Sequence, residues 1–327
     1  MTLFGKVSQS QFVAPVWAKN RHFQTIWPKY AIPVPKLNTI QERVATSDGD
    51  FVDLAWYLPP EPKAIAVVFH GLEGSIHSHY IGHLFSTLYR AGMGAVLMHF
   101  RGCSGELNLT PRAYHSGDTE DANYILKHVK QRYVDTKLFC VGFSLGGNML
   151  LKLLAEPKEH PVVSAVAVSA PIDLHACAEA INTGFSALYQ SHLLKSMKAN
   201  VLLKMQHVDM TRYLNLTREE IKALSSFRDF DEHITARLHG FASADDYYSK
   251  CSAISCLQAI NIPTLMLHAA DDPFMDNRVI PNNEQLSNSL AYELSAHGGH
   301  VGFVHGSPVK PRLWLPERIT KFIKAFL

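Results

Sequence analysis

The chain has 327 residues, 47% apolar and 18% charged, a composition that supports a sizeable core and excludes intrinsic disorder. Its 31 basic and 29 acidic residues give a formal charge of +2 without long like-charged blocks, so the sequence carries no electrostatic footprint for nucleic acid. Cys103, Cys140, Cys177, Cys251 and Cys256 are odd in number and include no CxxC pair, which argues against a disulfide framework and a thiolate zinc site.

Free thiols in a reducing compartment are therefore expected. Residues 1–23 lack an apolar stretch followed by a small-residue cleavage site, and no run reaches the roughly 18 apolar residues that a spanning helix needs. The expectation is a soluble, cytoplasmic protein. There is no internal repeat and no low-complexity tract.

In chain order, the Asp48-Gly49 turn between the alternating residues 43–45 and 51–57 predicts an antiparallel hairpin that opens a sheet. After Pro59-Pro60-Glu61-Pro62 come short, nearly continuous apolar runs at 64–69, 94–100, 138–141, 163–168 and 263–267. Such runs suit parallel strands buried on both faces. Helical patterns at 80–91, 118–133 and 148–155 lie between them, so strand and helix alternate and a mostly parallel, doubly wound α/β sheet follows.

Residues 173–248 break this alternation. They are helical in pattern, rich in Leu, Met, His and Tyr, and carry a Thr217-x-x-Glu220 capping box. Residues 1–172 and 249–327 are read as the core domain, with 173–248 as an inserted helical cap. The alternative is that this stretch simply adds helices to the core. The last element, 316–327, places Ile319, Phe322, Ile323 and Phe326 at helical spacing, so it should close one face of the sheet.

The chemistry-bearing residues fall at strand ends. Gly142-Phe143-Ser144-Leu145-Gly146 follows the strand 138–141 directly and runs into a helix, the setting in which a strained turn exposes a serine hydroxyl. Ser144 is the candidate nucleophile. A serine needs a base, and the base needs an orienting carboxylate. Beyond the strand 263–267, Asp271 and Asp272 stand together; Asp272 is favoured as the acid, with Asp271 capping the turn. His300, in His297-Gly298-Gly299-His300-Val301-Gly302-Phe303, is the candidate base, with His297 and His305 as competitors. The separation of 28 from Asp272 to His300 would hold one helix and one strand. Backbone amides of Leu145 and of Leu72, in His70-Gly71-Leu72-Glu73-Gly74, are the candidate oxyanion donors.

With these motifs in place, the chain resembles the YheT-like branch of the α/β hydrolases, the AB hydrolase 4 family. The resemblance is carried by residues 15–28 with Asn20, His22, Gln24 and Thr25, by Asp48-Gly49-Asp50, and by the His70-Gly71-Leu72-Glu73-Gly74-Ser75 segment. It continues through Phe100-Arg101-Gly102-Cys103-Ser104-Gly105, His115-Ser116-Gly117-Asp118-Thr119, Phe143-Ser144-Leu145-Gly146-Gly147-Asn148, Ala270-Asp271-Asp272-Pro273 and Gly298-Gly299-His300. It implies an α/β-hydrolase fold with Ser144, Asp272 and His300 as a charge-relay triad. Its implied substrates are small-molecule esters of short or medium acyl chains, with no cofactor. Acyl transfer to an alcohol or lipid acceptor, hydrolysis of monoacylglycerol or other lipids, and a hydrolase-fold binding protein without catalysis are the other readings.

Arg101 is expected to brace loops through a carboxylate, and Ser116 or Asp118 to cap the helix ahead of Glu120. His79 and His83, four apart, raise a metal reading, but Glu73 is the only nearby carboxylate, and a helix lining the pocket mouth is the simpler account. The cap, with an apolar helix over 187–205, would roof the site and could touch lipid at its periphery.

Overall fold

The continuous apolar runs become the centre of a nine-stranded sheet in a computed structural model that describes residues 2–327. The strands are β1 (Lys6–Gln9), β2 (Ile40–Ala45), β3 (Phe51–Tyr57), β4 (Ala64–Phe69), β5 (Gly94–Met98), β6 (Lys137–Phe143), β7 (Val162–Val168), β8 (Thr264–Ala269) and β9 (Leu290–Ser295). Their spatial order is β1-β9-β8-β7-β6-β4-β5-β3-β2. Only β2 with β3 and β3 with β5 pair antiparallel. A short antiparallel hairpin, β10 (Val304–Ser307) and β11 (Lys310–Leu313), stands apart.

All six residues of β4 are buried because both faces of the sheet are covered. Ile65, Val67 and Phe69 join one core layer with residues of α3 (Glu120–Arg132) and α4 (Leu145–Leu154). Ala66 and Val68 join the opposite layer, with α2 (His79–Arg90) and a C-terminal helix, Leu315–Lys324. That terminal helix buries Ile319, Phe322 and Ile323 and exposes Lys321 and Lys324, as its spacing requires. Ahead of β2, α1 (Arg21–Ala31) begins at Asn20, whose side chain accepts from the His22 and Phe23 N–H groups.

Between β7 and β8 a set of helices replaces the single crossover. These are α5 (Leu174–Ile181), α6 (Ser186–Lys204), α7 (Arg218–Ala223), α8 (Phe227–Phe230), α9 (Ala236–His239) and α10 (Ala244–Cys251), with a π-helical turn at Asp231–Thr235. The Thr217 capping box forms as its sequence pattern requires. Leu194, Met210, Leu214, Ile221, Phe230 and Ile234 give these helices a small core of their own. The C-terminal helix is hereafter α11. Among the described residues no helix is long and apolar enough to cross a membrane.

Three expectations are corrected. The hairpin of β2 and β3 does not open the sheet: β1 does, parallel to β9 at the far edge. Its four residues, Lys-Val-Ser-Gln, are an exposed edge strand and carry no apolar run to betray them. The stretch between Asp272 and His300 contains two single 3-10 turns and β9 in place of a helix and a strand. Finally, α3 begins at Glu120 with Thr119 at its N-cap and no side-chain cap. Asp118 accepts from Arg112 instead, and Ser116 accepts from the Asn148 side chain.

Arg101 ties the loops together. Its guanidinium forks onto both oxygens of Asp121 at 2.7 and 2.8 Å, and its Nη1 donates to Asp48 at 2.7 Å and Asp50 at 3.2 Å. Burial acts to raise the Asp50 pKa, but donors from Leu109, Thr110 and Asn108 outweigh it and hold that carboxyl well below the usual range. Removing the guanidinium would leave the buried Asp121 carboxylate without its donors, while Asp50 keeps those of Asn108, Leu109 and Thr110. Arg101→Ala is therefore expected to destabilise the fold by about 3–5 kcal/mol in urea denaturation, with Arg101→Lys recovering only part because a lysine lacks the fork.

Candidate active site

Ser144 sits at the tip of the turn from β6 into α4 with φ 51° and ψ −121°. A non-glycine residue in this region costs roughly 1–3 kcal/mol and persists only where its surroundings enforce it. Here the Ser144 N–H donates to Val168 O at 2.8 Å, and its carbonyl accepts from Gly147 and Asn148. A Cβ on Gly142 would lie 2.3 Å from Gly146 O, and one on Gly146 would lie 2.5 Å from His70 O. Both glycines of the motif are thus dictated by the close passage of backbone, and the serine between them is the one side chain the turn presents.

The sheet brings Asp272, beyond the end of β8, and His300, beyond β9, to this point. His300 Nε2 lies 2.9 Å from Ser144 Oγ, and His300 Nδ1 lies 2.8 Å from Asp272 Oδ2. Asp272 is 1% exposed, and its other oxygen accepts from the Phe274 N–H at 2.9 Å. The Phe274 ring lies flat on the imidazole, centroids 4.1 Å apart and 9° from parallel. With Nδ1–H donated to the carboxylate, Nε2 is left as acceptor for the serine hydroxyl. His297 pairs with Asp271 at 3.1 Å, and His305 lies on β10; neither is within hydrogen-bond distance of Ser144.

Contrary to the expectation from sequence, Asp271 does not cap its own turn. Its Oδ1 accepts from the Gly299 N–H at 2.9 Å, so it holds the histidine loop. The segment 15–28, whose role the sequence left open, does the same from the other side. Thr25 Oγ1 accepts from the His300 N–H at 2.9 Å and donates to Arg21 O at 2.8 Å. Gln24, fully buried, accepts from Val304 N–H and donates to Val304 O and Ala18 O. A Cβ on Gly299 would meet Arg21 O and Thr25 Oγ1 at 2.6 Å, and one on Gly302 would meet Gln24 O at 2.1 Å. The glycines of this loop let α1 press against it.

Leu72 and Leu145 line one cavity with Ser144 and His300. On either side of Leu72, the Gly71 N–H donates to Tyr80 Oη and the Glu73 N–H to Tyr114 Oη. The N–H groups of Leu72 and Leu145 make no hydrogen bond among the described residues. His70 stiffens this strand exit: Nδ1–H donates to Gly71 O at 2.7 Å and Nε2 accepts from Phe100 N–H at 3.0 Å. Burial pushes the His70 pKa down to about 3, so it stays neutral. Tyr80, Tyr114 and Phe274 escaped the sequence reading; only their nearness to the motifs could have pointed to them.

The cavity holds about 130 Å³, lined by Leu174, Ala178 and Ile181 of α5 and by Leu193 and Met197 of α6. Tyr114 and Met197 separate it from a second space of about 90 Å³ that contains Lys204 and Glu73. Next to α5, whose Leu174 packs with Tyr247 and Tyr248, part of the wall is polar. Asp231, on the π-helical turn, accepts from Thr235 and Tyr248 hydroxyls, each at 2.7 Å. Among the described residues no Lys, Arg or His forms an ion pair with it. Burial pushes its pKa up to about 6 despite those two hydrogen bonds.

The helix α2 does not line this cavity, contrary to expectation. Residues at its start face an open groove of about 800 Å³ with Val34, Arg43 and Glu106. His79 and His83 have buried Nε2 atoms without partners. Glu73 is committed to Tyr114, Ser196 and Asn200, and no group of three or more metal-binding side chains occurs among the described residues.

Thr25→Val keeps the shape but leaves the His300 amide without an acceptor, so a loss of about 1–3 kcal/mol is expected in chemical denaturation, with Thr25→Ser largely restoring it. Asp231 gives a pH signature. Its folded pKa lies above its unfolded value, so stability is lost as pH rises from about 4 to 6. Asp231→Asn abolishes that loss, and the variant should gain on the parent by on the order of 3 kcal/mol between pH 4 and pH 7.

A family model described as the alpha/beta hydrolase fold matches residues 67–307. The Escherichia coli protein named "Putative esterase YheT" is 44% identical, over 98% of this chain and 95% of the relative. Mouse "Phospholipase ABHD3" is 27% identical over 95% of this chain and 78% of its own length. The "Monoacylglycerol lipase" of Saccharomyces cerevisiae is 28% identical, covering 83% of this chain and 63% of the relative. Among solved structures, the esterase Pf2001 of Pyrococcus furiosus superposes with a TM-score of 0.58 at 15% identity, covering 98% of this chain and 99% of that one, a likeness of fold. Sheet order, strand-end site and sequence similarity agree: the chain belongs to the α/β-hydrolase family, in the group that includes its E. coli relative.

Proposed function

We propose that the chain is a serine carboxylesterase that cleaves acyl esters through an acyl-enzyme on Ser144. The observation that carries this reading is the continuous hydrogen-bonded line from buried Asp272 through His300 to Ser144, at 2.8 and 2.9 Å. The names of the relatives, an esterase, a phospholipase and a monoacylglycerol lipase, support ester-bond cleavage.

In this mechanism Ser144 Oγ attacks the ester carbonyl while its proton passes to His300 Nε2. Asp272 holds the imidazole in the tautomer that can accept it and stabilises the imidazolium that forms. The N–H groups of Leu72 and Leu145 receive the developing oxyanion; loss of one such donor typically costs about a hundredfold to a thousandfold. Collapse breaks the bond to the alcohol oxygen, which leaves with the proton from His300. Water then attacks the acyl-enzyme, with His300 again as base, and the carboxylic acid departs.

Residues 173–248 serve as a cap over the site, since α5 and α6 supply its apolar wall. At about 130 Å³ the cavity is small against the ~300–1,000 Å³ of typical ligand pockets, which favours short to medium acyl chains. A longer chain would have to displace Met197 and enter the neighbouring space.

Ser144→Ala is expected to lower turnover of p-nitrophenyl esters by roughly four to six orders of magnitude without altering the melting temperature. Labelling of the parent, and not the variant, by a fluorophosphonate probe checks the same point. Unlabelled parent protein, or full activity in the variant, would overturn the assignment. Product analysis with added alcohol distinguishes hydrolysis from acyl transfer: free acid should dominate.

A further inference from the structure

Among the described residues, the four most exposed large apolar side chains are Val309 at 87%, Val16 at 85%, Val13 at 80% and Tyr30 at 76%. Such exposure is unremarkable for one residue but not for four that share a neighbourhood. Val13 and Val16 precede α1, Tyr30 is on its last turn, and Val309 is the tip of the β10–β11 hairpin. These parts are packed on one another. Trp17 Nε1 donates to Gly306 O at 3.1 Å, and Trp17 and Trp27 cluster with Ile32, Val304 and Leu313.

The same stretches are basic throughout. Residues 1–41 contain Lys6, Lys19, Arg21, Lys29 and Lys36 and no Asp or Glu. Residues 294–316 add Lys310 and Arg312, and Glu317, close enough to act on His305, is the acid beside the hairpin. Lys6 lies on β1 and Lys36 in the groove beside α2, so five of these, Lys19, Arg21, Lys29, Lys310 and Arg312, belong to the packed parts around α1 and the hairpin.

We propose that this face, built from the segment before β2 and the β10–β11 hairpin, docks on the surface of an anionic lipid bilayer. Protruding apolar tips interleaved with lysines suit a headgroup layer: the tips enter the acyl boundary while long basic side chains reach the phosphates. The valines stand out singly, from separate turns, which fits a deformable apolar phase better than a shaped protein pocket. A second copy of the chain is disfavoured because a two-fold contact would set five positive charges against five.

The docking face adjoins the site. His22 of α1 hydrogen-bonds Tyr189 of α6 at 3.1 Å, and its ring lies 4.4 Å from that of Phe185, which is half exposed just before α6. A chain seated this way presents the rim of the Ser144 cavity to esters dissolved in the bilayer. The proposal does not depend on the catalytic assignment.

The test is co-sedimentation of the full chain with vesicles of phosphatidylcholine alone or mixed with phosphatidylglycerol. Ser144→Ala protein is run alongside, so that lipid binding and lipid turnover are read apart. Binding is expected only to the phosphatidylglycerol mixture and to weaken with salt. Val16→Asp with Val309→Asp, or Lys19→Glu with Lys29→Glu, should each reduce it about tenfold or more. Unchanged melting temperatures would show that these variants fold. No binding, equal binding to phosphatidylcholine, or indifference to both pairs would overturn the proposal. So would concentration-dependent dimerisation in sedimentation velocity that Val16→Asp with Val309→Asp abolishes, which would make a second copy the occupant.

Discussion

The position of His300 depends on the grip of α1 on a glycine-rich loop. His300 follows β9 in a stretch that leaves the sheet, so the ladder cannot place it. Its amide is held by Thr25, the preceding Gly299 amide by Asp271, and the following Val301 amide by the hydroxyl of Ser169. Three separate parts of the chain thus fix three successive peptide groups. The loop glycines make this possible, since a Cβ on Gly299 or Gly302 would drive α1 away. The ring then needs only Asp272 behind it and Phe274 beneath it to meet Ser144.

Charge is distributed so that the ring facing Ser144 is the histidine tied to a carboxylate. His70, His99, His115 and His268 are held neutral, their pKa values depressed chiefly by burial. Arg101 gathers Asp48, Asp50 and Asp121 into a satisfied cluster that stiffens the loops beyond β3 and β5. Asp231 is the exception: a carboxyl in the cavity wall with two hydroxyl donors and, among the described residues, no cation paired with it. It adds a second polar region, apart from Ser144 and His300, to a mostly apolar space, and therefore a point by which a ligand can be oriented.

Two functions meet on α1. Its inner face, through Gln24 and Thr25, positions the histidine loop, and its outer residues Lys29 and Tyr30 belong to the basic, apolar-tipped surface. The helix is short, 11 residues, and its interior Pro28 is buried, so it is held by tertiary contacts more than by propensity.

The sequence by itself determined the parallel sheet, because strands buried on both faces must be apolar throughout and cannot be disguised; β4 matches its run of 64–69 residue for residue. It also marked Ser144, Asp272 and His300, since a tight strand-to-helix turn and a curling loop require glycines at fixed places. Edge strand β1 was invisible because a four-residue polar strand carries no burial signal. The function of Gln24 and Thr25, the true partner of Asp271 and the polar wall at Asp231 were also out of reach. Each depends on residues brought together from distant parts of the chain, and local pattern does not encode that approach. Only the tertiary structure decided them, by packing α1 on the loop after β9 and the π-helical turn on the end of α10.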